Sequence, residues 1–213
     1  MMKNNGGHSG NLMVILGLTM MCSSAALFLN NSFDSRSADK LAGEKLPAVK
    51  QLIEERCEGT GEESAADTAE PEEEGEFPET VPSAMIDGYS YDGCLTIPSL
   101  NMELPVMDSW TMELLNIAPC RYCGSAKTGD MVIAGHNFAS SFGKLRDLNR
   151  EDDVYFTDMD GVVYHYIVRD IEIVEPDAVD YMVNSDWDLS LYTCTYSGKQ
   201  RLTVRCEEAE NNE

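Results

Sequence analysis

Apolar positions fall into three regimes along this chain. Leu12 to Leu29, LMVILGLTMMCSSAALFL, is a run of eighteen residues without a charge, close to the ~20 that a membrane-spanning helix needs. Residues 31–85 are poor in apolar side chains. Val49, Leu52 and Ile53 are the exception, on one side of a short helix with Pro47 in its first turn. From residue 86 the pattern becomes short runs with two-residue alternation, separated by Gly, Pro, Asn and Asp. CLTIPSL and MELPVM carry Leu95, Ile97, Leu104 and Val106, and DMVIAGH is a compact apolar strand ending in Gly-His. DDVYFTDMDGVVYHYIVRDIEIVEP predicts a strand, a turn at Asp160-Gly161 and one long or bent strand. LSLYTCTYSGKQRLTVRC adds two strands around a Gly-containing turn. Helical patterns in this part are confined to Thr111–Ile117 and Phe142–Leu148. The expectation is a mostly β barrel or sandwich with short helical connections, large enough for one core.

Charge sharpens the organisation. The chain holds 38 Asp and Glu against 15 Lys and Arg, a net charge of −23. That balance argues against a nucleic-acid surface, which needs clustered cations. Twelve of the acids lie between Glu54 and Thr80, a segment with too little to bury to offset its ordering entropy. The N-terminal tail carries Lys3 and no acid, which by the positive-inside tendency keeps it in the cytoplasm. The expected layout is a cytoplasmic tail over 1–10 and a transmembrane signal anchor over 11–30. An acidic, largely disordered linker follows over 31–85, then an extracellular domain over 86–213. A cleaved signal peptide is the alternative, but the apolar run is long for one and lacks a small-x-small cleavage site. The domain itself has 23 acids and 9 bases, a field that suits a basic partner.

Seven cysteines are present, an odd number, so at least one thiol has no partner within the chain. Cys120 and Cys123 form CRYC, a spacing compatible with a redox dithiol, half a zinc site or a disulfide. Zinc needs four ligands, and nothing in the spacing brings Cys94 or Cys206 to the pair. Cys94 and Cys206, in the first and last strands, are candidates to pair with each other.

Candidate chemistry centres on Cys194, which ends one strand, and Arg201, which opens the next. Residues flanking a hairpin loop lie opposite each other. A guanidinium there can stabilise an anion on the sulfur, or an oxyanion formed when the sulfur attacks a carbonyl. Arg205 competes on the same strand face, but four residues away is about 13 Å. His136 follows the apolar strand MVIAG, where a rigid sheet can hold an imidazole at a solvent-reachable edge. Cys and His together suffice for nucleophilic thiol chemistry. His8 lies in the tail, and His165, within VVYHYIV, reads as a surface or core residue. Taken singly, each of the three has a plain structural reading: a small buried hydrophobe, a structural imidazole, a solvated strand cation.

In this order, LYTC (Leu191–Cys194), RLTV (Arg201–Val204) and VIAGHN (Val132–Asn137) resemble the sortases, membrane-anchored cysteine transpeptidases of Gram-positive bacteria. LTIPSLNMELPVM and FGKLRDL are similar to further sortase segments, and the resemblance covers residues 86–206. It implies an eight-stranded sortase β-barrel with Cys194 as nucleophile, His136 as acid towards the leaving amine, and Arg201 holding substrate and oxyanion. It implies secreted proteins bearing LPxTG-like sorting signals as donors and an amine acceptor, a peptidoglycan precursor or a pilin lysine. It requires no metal or organic cofactor. The short segment from His136 to Cys194 has no room for the helical insertion of class B. A compact class D-like or unassigned type is nearer, and no pilin-type lid motif precedes His136. Two other readings stay open: a thiol hydrolase on the same barrel, and a non-enzymatic tethered binding or redox domain using Cys120 and Cys123.

Overall fold

The computed structural model describes the backbone of residues 6–59 and 81–209, and the side chains of 13–25, 43–57 and 81–209. Contacts divide the chain into two units, Met1–Ser37 and Ala38–Glu213. Helix α1 runs Gly6–Gly59 with Pro47 inside it. The helix expected to begin near Pro47 is therefore the end of a longer one, and 31–59, expected to be largely disordered linker, is helical. Proline removes one backbone hydrogen bond from a helix interior; here that loss does not end the helix. The acidic run from 60 to 80 lies outside the described residues. Among the described residues, no helix is long and apolar enough to cross a membrane. Both ends of the run expected to be an anchor fall where side chains are not described.

Nine strands follow: β1 (Ala84–Ile86), β2 (Tyr89–Ile97), β3 (Met102–Met107), β4 (Cys120–Cys123), β5 (Met131–Gly135), β6 (Asp153–Asp158), β7 (Val163–Val174), β8 (Leu189–Cys194) and β9 (Arg201–Glu208). Two short helices intervene, α2 (Met112–Leu115) and α3 (Val179–Val183), with a 3-10 turn at Phe142–Asp147. The sheet order is β1-β2-β3-β4-β5-β8-β9-β7-β6, and β2 also pairs with β6. That last pairing closes eight strands into a barrel and leaves only the three-residue β1 outside the ring. Closure removes the exposed edges an open sheet of this size would carry. Most neighbours are antiparallel, as expected; β3–β4 and β5–β8 are parallel. The long strand after Asp160-Gly161 is β7, and its pairing with β9 shifts register between Val168 and Asp170. That irregularity is the bend the sequence pattern allowed.

Alternation decides what lies on each side of the wall. Leu95 and Ile97 of β2, Leu104 of β3, Ile133 of β5, Leu189 and Leu191 of β8, and Val204 and Cys206 of β9 share one core with Phe142 and Leu145 of the 3-10 turn. A second apolar cluster joins Tyr91, Cys94, Met107 and Cys120 to Val49 and Ile53 of α1. Val49 and Ile53 are buried, each contributing about 1.5–3 kcal/mol of hydrophobic stabilisation. The one-sided pattern read from Val49, Leu52 and Ile53 is thus a docking face against the barrel. Cys94 belongs to this second cluster and Cys206 to the first. The pairing considered for them fails because neighbouring β positions point to opposite sides of the sheet; both thiols are free.

Candidate active site

Strands β8 and β9 form an antiparallel pair in which Cys194 lies directly opposite Arg201. The same register sets Leu189, Leu191 and Thr193 on the core face, and Ser190, Tyr192 and Cys194 on the outer face. The loop between them, Thr195–Gln200, is closed by Thr195 N–H donating to Gln200 O at 2.9 Å and Gly198 N–H to Thr195 O at 2.8 Å. Arg201 points a guanidinium N–H at the carbonyls of Gly198 and Gln200, at 3.4 and 3.2 Å. Among the described residues, no carboxylate forms an ion pair with it, so its charge remains available to an incoming anion.

Arg205 has the opposite fate. It is fully buried. It donates to Glu172 Oε1 at 2.8 Å, Ser190 Oγ at 2.8 Å and Tyr181 O at 3.2 Å, and its guanidinium sits 4.9 Å from the Tyr181 ring centroid. It ties α3 and β7 to the outer face of β8 and β9. Of the two arginines weighed from sequence, Arg201 is the one opposite the thiol.

The parallel pairing of β5 with β8 sets Gly135 beside Thr193. His136, the next residue, therefore leaves the sheet at the level of Cys194. Gly135 has a packing reason: a Cβ there would lie 2.6 Å from Cγ and Cδ2 of the buried Phe142 ring. His136 is half-buried, and burial lowers its pKa below the ordinary value of 6.5. Its Nε2–H donates to Asn116 Oδ1 at 3.0 Å, and its ring stacks on Phe138 with centroids 4.8 Å apart. Asn137 Nδ2 donates to Thr195 O at 3.2 Å, joining the histidine loop to the residue after the cysteine. Asn116 and Asn137 were not singled out from sequence. Asn137 stood within the VIAGHN run, whereas Asn116 lies in an unremarkable helical stretch with no motif around it.

Two clefts flank the thiol. One is lined by Trp110, Tyr122, Tyr192, Val179, Met182 and Arg201, with Trp110, Tyr122 and Tyr192 in successive edge-on contact at 5.8 and 5.9 Å. The other includes Cys194, Thr195, Asn137, Arg146 and Leu202.

The CRYC cysteines form strand β4, not the helix start that a thioredoxin-like dithiol needs, and both are free. Cys120 is buried, with Sγ 3.4 Å from Ala118 O, and burial pushes its thiol up to about 12. Burial also raises Cys123. Among the described residues no group of His, Cys, Asp or Glu could hold a metal ion. His165 donates to Asp153 at 2.7 Å and stacks on Tyr155, a surface role.

A closed barrel with a strand-end cysteine opposite an arginine, and a histidine at the neighbouring strand end, defines a candidate thiol acyl-transfer site. The sortase domain family matches residues 95–209, more than half of the chain. This chain belongs to the sortase family, whose members are cysteine transpeptidases. Sortase A from Bacillus anthracis is 27% identical over 168 residues, which cover 76% of this chain and 77% of that protein. Sortase A from Corynebacterium diphtheriae has a similar fold, with a TM-score of 0.51 and 24% identity, over 59% of this chain and 64% of that one. The match thus spans slightly less than two thirds of that protein. A sortase D5 transpeptidase from Clostridium perfringens shares the fold at a TM-score of 0.56 and 18% identity, over 80% of this chain and 99% of that one.

Proposed function

We propose that this protein cleaves an LPxTG-like sorting signal through a thioester on Cys194 and transfers the released acyl group to an amine. The observation that carries the reading is the strand register, with Cys194 opposite Arg201 and His136 at the end of the strand paired with β8. In the first half-reaction Cys194 passes its thiol proton to His136 and Sγ attacks the scissile backbone carbonyl carbon. Arg201 donates to the oxygen as it gains negative charge. His136 gives its proton to the departing amine, the C–N bond breaks and a thioester remains. In the second half-reaction the acceptor amine gives a proton to neutral His136 as it attacks the thioester carbon, the C–S bond breaks, and that proton returns to the departing sulfur, regenerating Cys194. The aromatic cleft suits the apolar residues of the donor signal. The cleft containing Asn137 and Arg146 suits entry of the acceptor, a peptidoglycan precursor or a pilin lysine. The net acidity of the domain favours a basic acceptor. In this reading the apolar run Leu12–Leu29 anchors the chain in the cell membrane, with the barrel outside.

The test combines the full chain in detergent with a fluorogenic LPxTG-type peptide library and an amine acceptor, comparing wild type with Cys194→Ala. Ligated product that disappears with Cys194 supports transpeptidation. Peptide release without ligation at saturating amine means a hydrolase. Failure of any peptide to acylate Cys194 in folded protein, by intact mass, refutes the reading.

A further inference from the structure

We infer that Arg146 makes the cleft containing Cys194 selective for an acceptor whose attacking amine sits on a carbon that also bears a free carboxylate, rather than for a plain alkyl amine such as a lysine side chain. This selectivity presupposes the acyl transfer through Cys194 proposed above and concerns only what resolves the thioester. Local charge is the first observation. The domain has 23 acids and 9 bases, yet Arg146 alone carries a fixed charge among the described residues lining this cleft. Its neighbours there are neutral, with Ile173, Leu202 and Tyr196 forming the walls. Arg146 is also not neutralised where it stands. Its Nε lies 3.9 Å from Asp147 Oδ1, too long for a hydrogen bond, and both side chains are largely exposed. An exposed pair of this kind is worth little, so the guanidinium keeps its donors for a ligand. That planar fork matches a carboxylate with two parallel hydrogen bonds.

The position of Arg146 follows from a three-residue period. In the 3-10 turn Phe142–Asp147, residues three apart eclipse one another. Phe142, Leu145 and Leu148 are buried in the core, whereas Gly143 and Arg146, each one position on, line the cleft. Phe142 N–H donates to His136 O and Gly143 N–H to Phe138 O, both at 2.9 Å. The turn that carries Arg146 is thus fastened to the histidine loop. The cleft is small, about 150 Å³. A ligand with its nitrogen at the Cys194 thioester and an anion at Arg146 must hold the two close together. A carboxylate on the amine-bearing carbon does so, while a lysine amine is four carbons from its backbone. Ile173 and Leu202, partners across β7 and β9, leave apolar wall for an aliphatic stem. The departing segment of the donor presents this cleft with an amine followed by a neutral peptide carbonyl. Arg146 therefore favours the acceptor over re-entry of the leaving peptide. The net acidity of the domain acts at long range on the amine of such an acceptor, and Arg146 acts at contact on its carboxylate.

The test is a competition between norleucine and norleucinamide as acceptors, at equal concentrations of unprotonated amine. It uses the full chain in detergent and an LPxTG-type peptide that acylates Cys194. The two acceptors share one stem and differ only in carboxylate against amide. The wild type should favour norleucine about tenfold, the size of one charge-assisted hydrogen bond. Arg146→Ala should bring the ratio close to one, and Arg146→Glu should reverse it. Arg146→Lys, which keeps the charge without the fork, should fall between. Added salt should erode the wild-type preference. Both acceptors resolve the same thioester, so the ratio does not depend on how fast a variant acylates. A wild-type ratio near one, or a preference that survives in Arg146→Ala, overturns the selectivity and leaves transpeptidation standing. A second arm needs no peptide. Iodoacetate brings a carboxylate on the carbon that meets the sulfur, and iodoacetamide brings an amide. The ratio of their rates at Cys194, read by peptide mass mapping, should fall about threefold in Arg146→Ala, as for a charge pair some 5–6 Å apart in water-like surroundings. The ratio at the exposed Cys57 should stay the same. An unchanged ratio at Cys194 overturns the selectivity whether or not a donor peptide is found.

Discussion

Arg201 and Arg205 lie four residues apart on the same face of β9 in different surroundings, and the proposed function gives them different duties. Replacing each by alanine separates chemistry from stability. Arg205→Ala removes a fully buried guanidinium with carboxylate, hydroxyl, carbonyl and ring partners. Removing one partner of a buried ion pair costs about 3–5 kcal/mol. Glu172 keeps the Tyr181 hydroxyl at 2.9 Å, and its side chain is 23% exposed, so water reaches the orphaned carboxylate. The expected loss therefore falls at the lower end, about 3 kcal/mol. For a domain of this size that lowers Tm by roughly 6–12 °C. Arg201→Ala removes a partly exposed side chain with two bonds to its own turn, so stability should change by no more than about 0.5 kcal/mol. Acyl transfer, in contrast, should fall by about 10²–10³-fold with loss of the proposed oxyanion donor. Urea unfolding followed by the fluorescence of Trp110 and Trp187 measures the first effect, and the rate of thioester formation at a temperature where both variants are folded measures the second. An Arg205→Ala midpoint equal to wild type would refute the burial argument. Equal destabilisation by Arg201→Ala, with activity tracking the folded fraction, would refute the division of roles.

Other consequences follow from packing and titration. Gly135→Ala forces a methyl group to within 2.6 Å of the Phe142 ring. It should destabilise by about 1–3 kcal/mol and slow acyl transfer by displacing His136; a wild-type unfolding curve would contradict the packing. Brief alkylation near neutral pH should modify Cys57, which is exposed, and Cys194 at its cleft. Cys94, Cys120 and Cys206 should stay intact, since burial pushes their thiols up to about 11, 12 and 12. Peptide mass mapping checks this, and Cys206 reacting as fast as Cys57 would contradict it. Burial holds the folded pKa of His136 below 6.5. The stability it contributes is therefore complete above that value and is lost as pH falls through the lower, folded pKa. His136→Gln should flatten that part of the stability profile, and an unchanged slope would refute the assignment.

Much of the barrel was legible because its strands are locally consistent. The alternation in LSLYTC and RLTVRC fixes which side chains enter the core, and the six residues between them fix Cys194 opposite Arg201. The apolar run ending in Gly-His gave β5, although the close approach of Phe142 that requires Gly135 is a long-range contact no local pattern contains. Arg201 and Arg205 looked alike from sequence because burial depends on what covers the strand, here α3 and Glu172 from elsewhere in the chain. The continuation of α1 through Pro47 was missed because proline usually marks a helix start or break, while the apolar face of Val49 and Ile53 is buried by docking on the barrel. Asn116 was invisible for a simpler reason: an asparagine at the end of a short helix is common as a cap, and only the fold brings it to His136.

The placement of the candidate site follows from the geometry of the wall. The strand pattern that sends Leu189, Leu191, Val204 and Cys206 inward leaves Cys194 and Arg201 on the outside, at the end of the pair next to the turn. A nucleophile facing the core could not meet a polypeptide, and one in mid-strand would offer it a single approach. At the strand end Cys194 borders one cleft while Arg201, directly across, borders the other. Transpeptidation needs this arrangement more than hydrolysis does. Water can enter through any gap, but an amine acceptor must reach the thioester while the acyl chain still occupies its groove. Filling the cleft proposed to admit the acceptor, while sparing the aromatic one, should therefore slow ligation more than acylation. Leu202→Trp is the direct version, since Leu202 lines only the cleft that contains Cys194. Equal loss of both half-reactions in folded Leu202→Trp protein would show that the two clefts act as a single site.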